Sequence, residues 1–169
     1  MRAGVALGSN LGDRLANLSA ARRAIFSLES TSPPLLSSAV FETEPIGCEP
    51  GARSFLNAAV ELSYDGVPER LLNALRNIEV ELGRPAGHER NVSRAIDLDL
   101  LYFGDTILSS ATLTLPHPRM FERIFVLRPL ADLAPDRVLP GQTKTIRELL
   151  ASLARSVRVE RAIPQWETT

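Results

Sequence analysis

The chain has 169 residues, of which 44% are hydrophobic and 23% charged, with a formal net charge of −1 at pH 7. That balance excludes a bulk electrostatic drive toward nucleic acid or an anionic membrane, so any anion must be met by a local cluster. Cys48 is the only cysteine, which excludes an internal disulfide, and His88 and His117, the only histidines, make no convincing zinc set.

The length suits a single domain over residues 1–169, large enough to bury roughly 70% of the surface its unfolded chain exposes. No apolar run approaches the ~18 residues of a membrane span, and the first ten residues turn polar too soon for a signal peptide, so a cytoplasmic protein is expected. Lys144 is the sole lysine. The cationic charge is otherwise arginine, which suits bidentate phosphate contacts.

Ala3 to Leu7 reads as a short strand ended by Gly8-Ser9-Asn10. Leu11, Leu15, Leu18, Ala21, Ile25 and Leu28 then recur at helical spacing, with Ser9 or Asn10 as the expected cap. Neither Gly-x-Gly-x-x-Gly nor Gly-Lys-Ser/Thr occurs, so neither common nucleotide fingerprint applies. Thr31-Ser-Pro-Pro34 reads as a break, Leu35 to Thr43 as a second strand, and Glu44 to Gly51 as a loop punctuated by two prolines and two glycines. In a third strand, Phe55 to Tyr64, alternation puts Leu56, Ala58, Val60, Leu62 and Tyr64 on one face and Phe55 with Asn57 on the other. A flat aromatic beside a carboxamide suits a planar heterocycle. Pro68-Glu69 opens a helix whose buried stripe is Leu71, Leu72, Leu75, Ile78 and Leu82, and Gly83 ends it. Arg84 to Ser93 has no apolar period and reads as a polar loop.

The run Arg94 to Gly104 carries the chemistry. As a strand it would point Ile96, Leu98, Leu100 and Tyr102 one way and Asp97, Asp99 and Leu101 the other. The two acids then stand roughly 7 Å apart, close enough to ligate one hard cation or share two, and uncomfortable without one. Arg84, Arg90, Arg94 and Arg123 could meet there. Carboxylates that hold Mg²⁺ beside arginines that hold phosphate make a phosphate-transfer site. An EF-hand is excluded, because the third acid and the glycine of that loop are missing after Asp99.

Two short β-prone pieces follow, around Thr106 to Leu108 and Thr112 to Leu115. Pro116-His117-Pro118 fixes a turn that leads into one or two helical turns at Arg119 to Arg123. Phe125 to Leu130 and Leu133 to Pro135 read as packed connecting structure. Thr145-Ile-Arg-Glu148 is a capping box that opens a last helix to about Leu153. Val157 to Ile163 reads equally as a strand or a tail. The order β α β β α β with a terminal helix predicts an α+β, ferredoxin-like sandwich, an antiparallel-rich sheet with helices packed on it.

With these motifs in place the chain resembles the 6-hydroxymethyl-7,8-dihydropterin pyrophosphokinase family. The matching pieces, in order, are Gly8-Ser-Asn-Leu11, Thr43-x-Pro45, Phe55-Leu-Asn-Ala-Ala-Val60, Gly83-Arg84, Arg94-x-x-Asp97-Leu-Asp99-Leu-Leu, Leu115-Pro-His-Pro118 with Met120 and Arg123, and Phe125-Val-Leu-x-Pro-Leu130. The resemblance implies transfer of the β,γ-pyrophosphoryl unit of ATP, the co-substrate, to the hydroxymethyl oxygen of the dihydropterin, leaving AMP, in folate biosynthesis. It implies two Mg²⁺ ions on Asp97 and Asp99, and charge neutralisation by Arg84 and Arg94 from a mobile loop and its edge. ATP would also meet His117, Arg123, Thr114 and the backbone around Leu100. The pterin would stack between Phe55 and Phe125 and hydrogen-bond to Asn57 and the segment Thr43, Pro45 and Ile46. This chain departs from the family pattern at Ala86, where a second basic residue is common, at Asn91 to Ser93, where an aromatic and Gly-Pro are usual, and at Glu44 before Pro45.

Small-molecule substrates and a monomer are therefore expected, with no nucleic acid and no membrane. Two other readings use the same residues. A Mg²⁺-dependent nucleotidyl transferase built on Asp97 and Asp99 would release pyrophosphate rather than AMP. A non-catalytic ligand-binding module of this fold would leave both acids merely solvated.

Overall fold

The computed structural model describes residues 1–44, 51, 53–83, 93–153 and 159–163. β1 (Arg2–Ser9) buries Ala3, Val5 and Leu7, as its apolar alternation requires. α1 (Arg14–Phe26) starts later than the periodicity suggests: Asp13 is the N-cap, its Oδ1 accepting from the Ala16 N–H at 3.0 Å. The expected caps Ser9 and Asn10 are buried instead, and Asn10 is committed to a distant segment described below. Leu11 and Leu15 are correspondingly exposed, and the buried stripe begins at Leu18.

The expected break at Thr31 to Pro34 is part of a strand. β2 (Thr31–Ser37) pairs with β4 (Phe55–Tyr64) at Thr31 and Ser32 and again at Leu36 and Ser37, slipping register between them. The prolines are tolerated because β2 has no strand on its outer side among the described residues, so no ladder needs their missing N–H groups. The second strand expected over Leu35 to Thr43 is thereby divided, and its later part is β3 (Val40–Thr43), which also pairs with β4. Ser38 bridges the division: its Oγ accepts from the Ala59 N–H at 2.9 Å while its own N–H donates to the Ala59 carbonyl.

α2 (Pro68–Glu81) and the acid strand β5 (Asp97–Phe103) form where expected. The ribbon β6 (Leu108–Ser109) and β7 (Thr114–Leu115) follows, then a 3-10 helix at Pro118–Glu122. The stretch read as connecting structure is a helix, α3 (Ile124–Leu133), with Pro129 inside it. A proline normally ends a helical pattern; here the buried Ile124, Val126, Leu127 and Leu130 hold the segment on the sheet regardless. α4 (Ile146–Leu153) carries its capping box: Glu148 accepts from the Thr145 N–H at 2.8 Å, and Thr145 Oγ1 accepts from the Glu148 N–H at 3.3 Å. Val159–Ile163 is a strand, β8, paired with β3.

The main sheet has the order β5-β1-β4-β3-β8, with β2 beside β4, and every pairing is antiparallel. One face packs on α1 and α2 through Leu18, Ile25, Leu71 and Leu75; the other packs on α3 and α4 through Leu101, Leu127, Leu130 and Ile146. This is the α+β, ferredoxin-like sandwich the element order predicts.

One face assignment changes. The β1–β5 register runs Val5 to Leu100 and then Gly4 to Tyr102, so Leu101 is an extra residue at a bulge. Past the bulge the alternation inverts, and Tyr102 joins Leu101 on the α3 face rather than the Leu98 and Leu100 face.

Candidate functional site

The site lies on the α3 face at the sheet end marked by Gly8. Gly8 is opposite Asp97 on one side and Asn57 on the other, and Asn57 is opposite Phe41, so one row of the sheet reads Asp97, Gly8, Asn57, Phe41. The adjacent row reads Asp99, Ala6, Ala59. A Cβ placed on Gly8 would stand 3.4 Å from Asn57 Oδ1 and 3.9 Å from both Asp97 Cβ and the Phe55 ring. The glycine thus leaves a floor of bare backbone between an amide, an aromatic and a carboxylate.

Asn57 is 6% exposed, and its Nδ2 donates to Thr43 Oγ1 at 2.7 Å. That bond fixes the amide, leaving Oδ1 turned toward the floor. Phe55 is half-buried on β4, and Phe125, the second residue of α3, packs against the α3-side core with the Arg123 guanidinium 5.6 Å from its ring centroid.

The acids sit as the alternation requires, both on this face, with side chains 29% and 34% exposed for Asp97 and Asp99. Each faces an arginine: Arg94 Nη1 is 3.0 Å from Asp97 Oδ2, and Arg123 Nη1 is 3.6 Å from Asp99 Oδ2. Desolvation first and the neighbouring Asp97 second push the Asp99 carboxyl above the usual carboxylate range, against the opposing pull of His117, Arg123 and Arg119. The same burial, ahead of its arginine neighbours, lowers the His117 imidazole. Its backbone N–H donates to the Leu101 carbonyl at 2.8 Å, while its Nδ1 is buried without a hydrogen-bond partner. Two carboxylates side by side, each partly exposed, are a fitting oxygen donor set for a hard divalent cation.

Of the other expected residues, Leu100 buries its side chain in the opposite core, so only its backbone can serve the site. Thr114 is exposed on β7, paired with Ser109. Arg84, Pro45 and Ile46 lie outside the described residues.

Asn10 is the residue whose part the sequence hid. Its N–H donates to the Arg94 carbonyl at 3.2 Å, its Oδ1 accepts from the Arg94 N–H at 2.8 Å, and its Nδ2 donates to Ser93 Oγ at 3.1 Å. The segment entering β5 is therefore clamped to the end of β1, which aims Arg94 at Asp97. Gly8-Ser-Asn after an apolar strand was a visible motif, but a cap reading hides a contact made so far along the chain. The alternation of Gly4 and Gly8 on one strand face was the available signal for the floor.

Comparison with known proteins gives the family. Residues 4–135 match the family described as 7,8-dihydro-6-hydroxymethylpterin-pyrophosphokinase (HPPK). A Bacillus subtilis 2-amino-4-hydroxy-6-hydroxymethyldihydropteridine pyrophosphokinase is 42% identical over 131 residues, covering 76% of this chain and 75% of the relative. The Methylorubrum extorquens protein of the same name is 40% identical over 152 residues, covering 90% and 93%. A solved HPPK-DHPS structure in complex with substrates superposes with a TM-score of 0.70 at 15% identity, covering 92% of this chain and 44% of that one, which is a likeness of fold. The chain therefore belongs to the 7,8-dihydro-6-hydroxymethylpterin-pyrophosphokinase family.

Proposed function

We propose that the Gly8 row and the acid pair are the two halves of one transfer site. The reaction is the family's: the β,γ-pyrophosphoryl group of ATP passes to the hydroxymethyl oxygen of 6-hydroxymethyl-7,8-dihydropterin, in folate biosynthesis. The hydroxymethyl oxygen bonds to the β-phosphorus, the bond from that phosphorus to the α-phosphate oxygen breaks, the hydroxyl proton is released, and AMP leaves. The observation that carries the division of labour is the sheet register, which sets Asp97 and Asn57 on either side of Gly8.

The pterin ring lies over Gly8, hydrogen-bonded by Asn57 and Thr43 and flanked by Phe55 and Phe125, with Pro45 and Ile46 on the same side. Asp97 and Asp99 hold two Mg²⁺ ions, which when bound neutralise the polyphosphate and align it. Arg94 and Arg123, which now face the acids, turn to the phosphates together with Arg84. His117, Thr114 and the Leu100 backbone contact the nucleotide. Little covalent help is needed from the protein, because transfer of this kind depends on alignment and charge cancellation. The working unit is one copy of the single domain, in the cytoplasm; no described helix is long and apolar enough to cross a membrane.

The test is to incubate the protein with ATP, Mg²⁺ and the hydroxymethyl-dihydropterin and to separate the adenine nucleotides by chromatography. AMP that forms only with both pterin and Mg²⁺ is the expected result. ADP, or release of free pyrophosphate, would overturn the reaction.

A further inference from the structure

α2 buries an apolar stripe of Leu71, Leu75 and Ile78, and beside it a carboxylate, Glu79, only 7% exposed. A buried acid costs stability unless hydrogen bonds compensate it. One such bond comes from the acid strand: Glu79 Oε1 accepts from the Leu98 N–H at 2.7 Å. β5 is the edge of the sheet, so on its outer side no strand is there to take that donor among the described residues. In an antiparallel ladder neighbouring residues turn their backbone groups alternately inward and outward. With the Leu98 N–H turned out to Glu79, Asp97 and Asp99 turn theirs in, toward Gly8 and Ala6 of β1. The peptide between the two acids is thus held from both flanks.

We propose that Glu79 is a positioning residue for the acid pair: by taking the Leu98 N–H it fixes the spacing and direction of the Asp97 and Asp99 carboxylates toward a divalent cation. This rests on the metal assignment above. Outer groups that orient metal ligands are typically worth about 10- to 100-fold in metal affinity. Both Glu79→Leu and Glu79→Asp withdraw the acceptor, the second by one methylene with the charge kept. Glu79→Gln keeps an acceptor oxygen of the same reach and removes the charge.

The experiment titrates MgCl₂ into each full-length variant in the presence of α,β-methylene ATP, following heat by calorimetry, with the melting temperature of the metal-free protein measured in parallel. Glu79→Asp and Glu79→Leu are expected to raise the Mg²⁺ midpoint about 10- to 100-fold, while Glu79→Gln stays near the wild-type value. A midpoint unchanged in Glu79→Asp overturns the inference and would assign any shift in Glu79→Gln to charge. An equal shift in Glu79→Gln and Glu79→Asp overturns it too, since the variant that keeps the acceptor would then fare no better than the one that withdraws it. Glu79→Asp carries the test if Glu79→Leu does not fold. Asp97→Asn is the control: a shifted midpoint there with none in the Glu79 variants refutes Glu79 alone, whereas no shift in Asp97→Asn overturns the metal assignment beneath both.

Discussion

Two rows of the same sheet face begin alike and end differently. Gly4 and Gly8 stand on one strand with their missing side chains toward α3, each between a partner on β4 and one on β5: Glu61 and Tyr102 for Gly4, Asn57 and Asp97 for Gly8. At Gly4 the floor is filled from within. The Tyr102 ring lies so close that a Cβ on Gly4 would come within 2.3 Å of its Cε1. The tyrosine hydroxyl donates to the buried Glu61, which also pairs with Arg2, and the Arg137 guanidinium covers the ring at 4.6 Å from its centroid. At Gly8 the corresponding space has amide, phenyl and carboxylate around it, all at ordinary contact distance or beyond. The same device, bare backbone beneath a flat ring, serves stability in one row and, in the function proposed above, a ligand in the other.

That contrast can be broken in several ways, the largest at the acids. Asp97→Ala or Asp99→Ala should lower turnover by at least about 10²-fold with the fold kept, read as AMP formed per unit time and by circular dichroism. Near-normal turnover in either would remove the acid pair from the site. Gly8→Val should raise the pterin KM about 10- to 100-fold and leave both ATP-analogue affinity and melting temperature close to wild type, since valine suits a strand. Gly4→Ala should do the opposite: displacing the Tyr102 ring costs about 1–3 kcal/mol of stability, seen in denaturant unfolding, while the pterin KM of the folded protein is unchanged.

A smaller effect separates function from stability at a single residue. Desolvation and Asp97 together disfavour the ionised Asp99, so in metal-free protein at pH 7 this carboxylate is a net cost. Asp99→Asn should therefore raise the melting temperature of the metal-free protein by a few degrees while abolishing the gain that Mg²⁺ gives the wild type. A lower melting temperature in the metal-free variant would show that the Arg123 contact outweighs burial.

Much of this was legible where a pattern ran unbroken. β4 alternates without interruption, and Leu56 to Tyr64 fell on the face expected of them, as did Phe55 and Asn57. The acid pair was legible for the same reason, because Asp-x-Asp on a strand shares a face whatever lies next to it. The failures have local causes. Pro33 and Pro34 concealed β2, and Pro129 concealed α3, because tertiary packing and an unpaired edge overrode what proline forbids elsewhere. The face of Tyr102 depended on a bulge at Leu101 that only pairing with β1 creates. Asn10 and Glu79 make contacts with Arg94 and Leu98 that no local period encodes.

The most direct measurement compares the two glycines in one sample. ¹⁵N-labelled protein with Mg²⁺ and α,β-methylene ATP is titrated with 6-hydroxymethyl-7,8-dihydropterin, and the Gly4 and Gly8 amide resonances are followed by NMR. The account predicts a large, saturable shift of Gly8, accompanied by the Asn57 side-chain amide, with Gly4 unmoved. A titration that reaches saturation while Gly8 and Asn57 stay in place, or that moves Gly4 as far, would contradict it.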